Sequence, residues 1–332
     1  MSIAEDGEVV AAARAGDESA FGGLVERYRR ELQVHCYRML GSFEESEDLV
    51  QETFLRAWRK RESFQGRATF RAWLYRIATN ACLDFLDQHP RHPVRHDAVT
   101  EIPWLQPYPD RLLEPIVSGE AEPDNAVVAR ETIELAFLIA VQHLPPGQRA
   151  VLILRDVLGW SAKDTAALLE VSVASVKSAL QRARPTLKQH LPQRRLDWAP
   201  STAPTQEERA LLQRFMDAHE RADTAAFAAL LSEGVRLTMP PYPFWFVGRQ
   251  AVVNFSEHAF GPDSPLYQGH WRSVLTRANR RPAIAGYVRL PGDSGYRAQA
   301  LTVLRIEDGM ISEITAFEPR LFPAFGLPLE LS

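Results

Sequence analysis

A chain of 332 residues, 45% of them apolar and 24% charged, has the material for two or three ordinary domains, which excludes a disordered or fibrous polypeptide. No apolar run approaches the ~18 residues that cross a bilayer, and the start, MSIAEDGEVV, has neither the basic nor the apolar region of a secretory signal, so the expected site of action is the cytoplasm, with no membrane partner. The net charge of −4 is the sum of unlike local stretches and excludes nothing about nucleic acid; Cys36 and Cys82, distant in sequence and inside helical patterns, fit apolar fillers better than a disulfide or a metal site.

Residues 5 to 40 have helical spacing, with Val9, Val10 and Ala13 on one stripe, a turn at Gly16-Asp17, then Phe21, Leu24, Val25, Tyr28 and Leu32. Gly41 ends this stretch. Ser42 and Glu45 have capping-box spacing and predict a helix to about Lys60. Its inner stripe is Val50, Phe54, Ala57 and Trp58, while Asp48, Gln51, Glu52, Leu55 and Arg56 point elsewhere. The first turn holds four acids, Glu44, Glu45, Glu47 and Asp48. They suit the positive helix end but exceed what capping needs.

Gln65 to Arg67 form a loop, and Thr69 is placed to cap a helix to about Asp87. Phe70, Trp73 or Leu74, Ile77, Ala81 and Phe85 form its inner stripe. Around them lie Arg61, Arg67, Arg71, Arg76, Tyr75 and Asn80. Rings beside guanidinium groups suit single-stranded DNA, since bases stack on the one and phosphates pair with the other. Phe70, Trp73 and Phe85 are better read as core, which leaves Phe64, beside the glycine loop, as the ring to meet a base.

Residues 88 to 125 carry seven prolines and predict a linker extended in places. Within it, Trp104-Leu105-Gln106-Pro107-Tyr108-Pro109 is too aromatic for a spacer; Trp104, Leu105 and Pro107 suggest docking on another surface. A helix is expected from about 124 to 143, broken by Leu144-Pro145-Pro146, then a short apolar helix over 148 to 158.

Ser161 and Asp164 have capping-box spacing before Ala166, Leu168 and Leu169, and Ser172 is a good N-cap for a second helix. There Val176, Leu180, Ala183 and Leu187 form one stripe, and Ser175, Lys177, Ser178, Gln181, Arg182 and Arg184 the opposite face. No acid occurs from Lys177 to Arg195. An ordinary solvated helix mixes both signs to gain i,i+4 pairs, so the pair reads as a helix-turn-helix with a cationic recognition helix rather than a plain helical hairpin. Pro185 should kink or end that helix.

Residues 192 to 205 form a second linker. Beyond it the period changes. Thr205 and Glu208 cap a helix with Leu211, Leu212, Phe215 and Met216; a second helix covers 224 to 231, and a third lies around 250 to 259. Strands are expected at 235 to 239, 270 to 276, 283 to 290, 296 to 306 and 310 to 317, with hairpin turns at 291 to 295 and 307 to 309. Helices followed by a curved antiparallel sheet define an α+β domain.

The stretches SFEESEDLVQETFLRAWRKRESFQGRATFRAWLYRIATNACLDFL and LPPGQRAVLILRDVLGWSAKDTAALLEVSVASVKSALQRAR resemble an extracytoplasmic-function (ECF) sigma factor over roughly residues 8 to 191. The resemblance implies a multi-domain chain. An all-α region 2 bundle covers 5 to 88, a Pro-rich linker 89 to 124, an all-α region 4 helix-turn-helix 125 to 192 and a linker 193 to 204. It implies RNA polymerase core, clamp and flap, as partner, with Asp48, Gln51, Glu52, Leu55 and Arg56 on the helix that grips the clamp. Arg61, Phe64, Arg67, Arg71, Arg76 and Asn80 would then melt and bind the −10 element. Ser172, Ser175, Lys177, Ser178, Gln181, Arg182 and Arg184 would read the −35 element. The tail, 205 to 328, is similar to a SnoaL-like domain, a ketosteroid-isomerase-like α+β cone. It implies an intramolecular contact of the tail with the sigma domains or the linker.

The cone would offer a cavity with Trp245, Trp271, Tyr287 and Phe317 among its lining candidates. Acid–base chemistry there would need a carboxylate or histidine of shifted pKa. Asp217, His219, His258, Asp263 and His270 have no partner spacing that selects one, so the tail is expected to regulate rather than catalyse, with no catalytic residue, cofactor or metal. The rival reading is a DNA-binding regulator fused to a small-molecule-binding or isomerase- or cyclase-like domain.

Overall fold

Cap residues start the helices where their spacing places them. In the computed structural model, which describes residues 3–66, 68–95, 100–113, 133–191, 205–260 and 269–332, Asp17, Ser42, Thr69, Ser161, Ser172 and Thr205 each accept first-turn backbone N–H groups. The helices are α1 (Ile3–Arg14), α2 (Glu18–Leu40), α3 (Phe43–Arg59), α4 (Phe70–Gln88), α5 (Leu135–Gln142), α6 (Pro146–Leu152), α7 (Ala162–Leu169) and α8 (Val173–His190), then α9 (Gln206–Glu220), α10 (Thr224–Ala228) and α11 (Arg249–Phe260). Only Thr205 and Glu208 close a full capping box among the described residues. Glu45 donates its N–H to Ser42, but its carboxylate turns to Arg91 instead of back to the cap. The helix expected from about 124 lies outside the described residues up to 132; α5 is its described end.

The chain divides into two units: 1–92 with 112–198, and 93–111 with 199–332. In the first unit α1 to α4 and α5 to α8 share one apolar core, running from Leu32, Phe54 and Leu74 to Ile153, Leu154 and Val176. Cys36 and Cys82 lie in that core, fully buried and reduced, and burial, with Cys36 nearby, pushes the Cys82 thiol pKa up. The helix after α6 continues as a π-helical turn, Ile153–Val157. Pro185 neither ends α8 nor shortens it: the helix runs on to His190. The cost of one missing N–H is met because Ala183 and Leu187 hold the helix to the core on either side of the proline.

The second unit is built on strands β3 (Leu231–Thr238), β4 (Trp245–Val247), β5 (His270–Ala278), β6 (Arg281–Arg289), β7 (Tyr296–Glu307) and β8 (Met310–Phe317), ordered β4-β3-β8-β7-β6-β5. Two short strands, β1 (Val94–Arg95) and β2 (Thr100–Glu101), precede them, and β9 (Glu330–Leu331) pairs with β7. The sheet is not wholly antiparallel, because β3 and β8 run parallel. The first long strand is placed beside the last, a long-range pairing that local spacing does not encode. Asp308 and Gly309 make the foreseen turn at positive φ; Asn279 and Arg280 make a second two-residue turn, both also at positive φ.

Strand β6 is buried at every position from Ala283 to Val288, so the sheet is covered on both faces. One face carries Ile284, Leu304 and Ile314 against α9 to α11. On the other, Tyr287 meets Phe322 of the 3-10 segment Pro319–Phe325 at 5.2 Å and donates its hydroxyl to the Pro328 carbonyl. Gly286 leaves room for the Trp271 ring, since a Cβ there would lie 2.8 Å from it.

Candidate nucleic-acid and polymerase interface

Helix α3 buries Val50, Phe54 and Ala57 and turns Asp48, Gln51 and Leu55 outward at i, i+3 and i+7. Leu55 is 51% exposed on an otherwise polar strip. Glu52 and Arg56 flank it and pair at 2.7 Å, and Arg56 also reaches Asp84 at 3.1 Å. The hydrogen bond to Glu52 raises the guanidinium pKa further. The strip therefore offers an acid, an amide and a leucine standing free of that pair.

The −10 candidates divide. Phe64 is buried, edge-on to Phe70 at 5.5 Å and 5.3 Å from Trp73. The expectation of a ring free to meet a base is corrected: the loop folds Phe64 into the aromatic cluster that closes the end of α4, because burying a phenyl ring outweighs leaving it in a polar loop. Arg71 holds Glu31 at 2.9 Å and lies over the Tyr75 ring, so this guanidinium ties α4 to α2. Arg61 lies over Trp58 and donates to its carbonyl. Arg76 pairs with Glu170, the left-handed residue that closes α7. Asn80 is half-buried, and Arg67 lies outside the described residues.

Recognition helix α8 buries Val176, Leu180 and Ala183 and exposes Lys177, Gln181, Arg182 and Arg184. Its serines are occupied locally. Ser172 and Ser175 bond each other at 2.8 Å as the cap, and Ser178 accepts from Arg182 at 2.7 Å. Arg184 makes a two-pronged bond to Asp156, 2.9 Å on each arm. Sequence spacing did not single out Val171 and Val173, which stand exposed at the tip of this helix.

Behind α8, Arg149 is buried and donates to carbonyl oxygens of Met39, Gln142 and Leu144 and to the Gln142 side chain. Burial, with Arg91 nearby, lowers its pKa to about 9. It joins the end of α2 to the end of α5.

In the second unit the linker lies on the β5–β6 turn. Tyr108 N–H donates to Asn279 Oδ1 at 2.8 Å, and Asn279 N–H donates back to the Tyr108 carbonyl at 2.9 Å. Pro109 bridges Ala278, while Asp110 accepts from Arg280 N–H at 2.8 Å and from Arg277 at 3.2 Å. Leu105 and Pro107 are buried and Trp104 is half-buried. The sequence marks the stretch from Trp104 to Asp110 as a docking segment but not its partners Arg277, Asn279 and Arg280, which are far along the chain.

Strand register sets Trp271 apart from the other three pocket candidates, which share the opposite face of the sheet. Trp271 lies with His219 and Phe260 on the helix side. Tyr287 and Phe317 lie on the opposite face with Leu301 and Phe322, and Trp245 opposes Thr238, away from Phe246, which packs on Phe255 of α11. Strand alternation separates the two faces. His219 bonds the Phe215 carbonyl, and burial lowers its pKa to about 4. Asp217 accepts from Gln213, His258 bonds the Asn254 carbonyl, His270 is exposed, and Asp263 lies outside the described residues.

A helical region with an exposed strip on α3, a helix-turn-helix and an α+β tail together define a sigma factor carrying an added domain. Family models agree: Sigma-70 region 2 matches residues 24–92, Sigma-70 region 4 residues 135–187, and the SnoaL-like domain residues 212–314. The chain is 41% identical to the ECF RNA polymerase sigma factor SigG of Mycobacterium tuberculosis over 95% of its length and 85% of the relative. It is 33% identical to the ECF sigma factor SigW of Bacillus subtilis over 54% of this chain and 92% of that one. Its fold matches the crystal structure of the M. tuberculosis ECF sigma factor SigJ with a TM-score of 0.58 at 23% identity, covering 92% and 98% of the two chains. The chain belongs to the ECF sigma factors. No helix among the described residues is long and apolar enough to cross a membrane.

Proposed function

We propose that this protein directs RNA polymerase core to its promoters and that its SnoaL-like tail modulates that activity through the linker. One observation carries the regulatory half: residues 93–111 belong to the same unit as the tail, although the chain there joins region 2 to region 4. Docking them on Asn279 and Arg280 shortens the free tether between the two DNA-binding regions. The distance at which regions 2 and 4 engage −10 and −35 elements together then depends on whether the tail holds the linker.

Core polymerase is engaged by the α3 strip of Asp48, Gln51, Glu52, Leu55 and Arg56. Arg61, Arg67, Arg76 and Asn80 serve the −10 element, and Lys177, Gln181, Arg182 and Arg184 the −35 element. The tail acts as a regulator and not as a catalyst, and the protein works in the cytoplasm on polymerase.

Run-off transcription with core enzyme tests this, comparing the full chain with a truncation after residue 204. Start-site selection by the full chain, altered by truncation, is the expected result. No selection with either protein overturns the sigma reading, and identical behaviour overturns the regulatory one. Changing Gln51 and Glu52 together to Ala should weaken capture of core enzyme; unchanged capture removes the α3 assignment.

A further inference from the structure

Val171 and Val173 flank the cap of α8 and are 44% and 39% exposed. A single exposed valine needs no explanation. Two within three residues, at the tip of a helix that carries no acid, call for one. Recognition helices present their N-terminal residues to base edges in the major groove. The polar groups at this tip are turned away from that task. Ser172 and Ser175 bond each other and the first-turn N–H, and Ser178 is taken by Arg182. The apolar side chains are what the tip has left to offer a base.

Only one base edge in the major groove is apolar, the 5-methyl group of thymine. We infer that Val171 and Val173 are specificity-determining residues that read thymine methyl groups in the −35 element. This rests on α8 being the −35 helix. Lys177 and Gln181 follow on the exposed face and hold the helix in the groove, so the valines lie ahead of the positioning contacts.

The test uses holoenzyme reconstituted from core enzyme and the full chain. A −35 sequence is first selected from a randomised promoter library. Each thymine in it, on either strand, is then replaced by deoxyuridine, which removes the methyl group and leaves the hydrogen-bonding edge intact. At one or two positions the change should weaken promoter binding about four-fold, the worth of one buried methyl group. Val171→Ser and Val173→Ser, at exposed positions that leave the core untouched, should abolish that difference. Lys177→Ala should weaken all promoters alike. Wild-type binding insensitive to deoxyuridine at every position overturns the inference, as does sensitivity that persists in both serine variants. If Lys177→Ala, Arg182→Ala and the valine variants all leave promoter binding unchanged, the assignment of α8 to the −35 element falls instead.

Discussion

Arg76 and Glu170 form an ion pair between the face of α4 and the residue that closes α7, one position before the exposed Val171. A side chain of the helix proposed to serve the −10 element is thus spent on the turn of the helix-turn-helix. Both partners are largely solvated, so the pair is worth roughly 0.2–1 kcal/mol. Glu170→Lys sets two cations face to face. It should shift the first unit toward separated regions by up to about five-fold and speed association with core enzyme. Small-angle scattering or a fluorescence distance between α3 and α8 measures the shift; an unchanged distance distribution would show that the pair does not help hold the regions together.

Arg149 is the stronger joint. Its guanidinium satisfies carbonyl groups at the ends of α2 and α5 in a site that excludes water. Arg149→Met keeps most of the volume and strands those acceptors, each at about 1–3 kcal/mol. The first unit should lose about 3 kcal/mol or more, lowering its melting temperature by roughly 6–12 °C. Thermal unfolding followed by circular dichroism checks this.

Local chemistry made the helices, caps and most strands legible in the sequence, because a serine three residues before an acid or an apolar stripe at helical spacing acts within one turn. The same spacing identified the exposed strip of α3 and the basic face of α8. What stayed hidden depends on distant partners. Phe64 was expected to be exposed because nothing nearby shows that Phe70 and Trp73 close over it. Pro185 was expected to kink or end a helix that in fact continues to His190. The Tyr108–Asn279 clip joins residues 171 positions apart. The pocket candidates were grouped by type, yet strand register put Trp271 and Tyr287 on opposite faces.

His35 gives the first unit a predictable weakness to acid. Thr79 spends its hydroxyl proton on the Tyr75 carbonyl, so His35 Nε2 must carry the hydrogen that bonds Thr79 at 2.8 Å. Nδ1 is then a buried acceptor with no hydrogen-bond partner. Burial, with Arg38 and Arg71 nearby, lowers the imidazole pKa to about 3 from 6.5. Between those values the unfolded chain binds a proton that the folded chain refuses. Stability therefore falls as pH drops below about 6.5, by up to about 1.4 kcal/mol per unit from this group. His219 adds a like loss in the second unit down to about pH 4. His35→Gln, which retains a donor for Thr79, should flatten the acid limb; urea unfolding of both proteins at pH 7 and pH 5 measures it.

Asn279 is the residue on which the hold over the linker depends. Its side chain accepts from Tyr108 N–H, its own N–H returns a bond to Tyr108, and its φ of 53° is one that asparagine tolerates better than most residues. Asn279→Ala removes the side-chain acceptor and strains the turn, at a combined cost of about 2–4 kcal/mol. The Tyr108 amide should exchange its hydrogen faster, and residues 93–111 should become open to limited proteolysis while the sheet stays folded. Asp110→Ala, which removes only the acceptor for Arg280 and Arg277, should produce a smaller effect in the same direction. If the linker governs activity, both variants should move promoter selection toward that of the chain truncated after residue 204, in the order of their loss of protection. Full loss of protection with unchanged transcription would separate the clip from regulation.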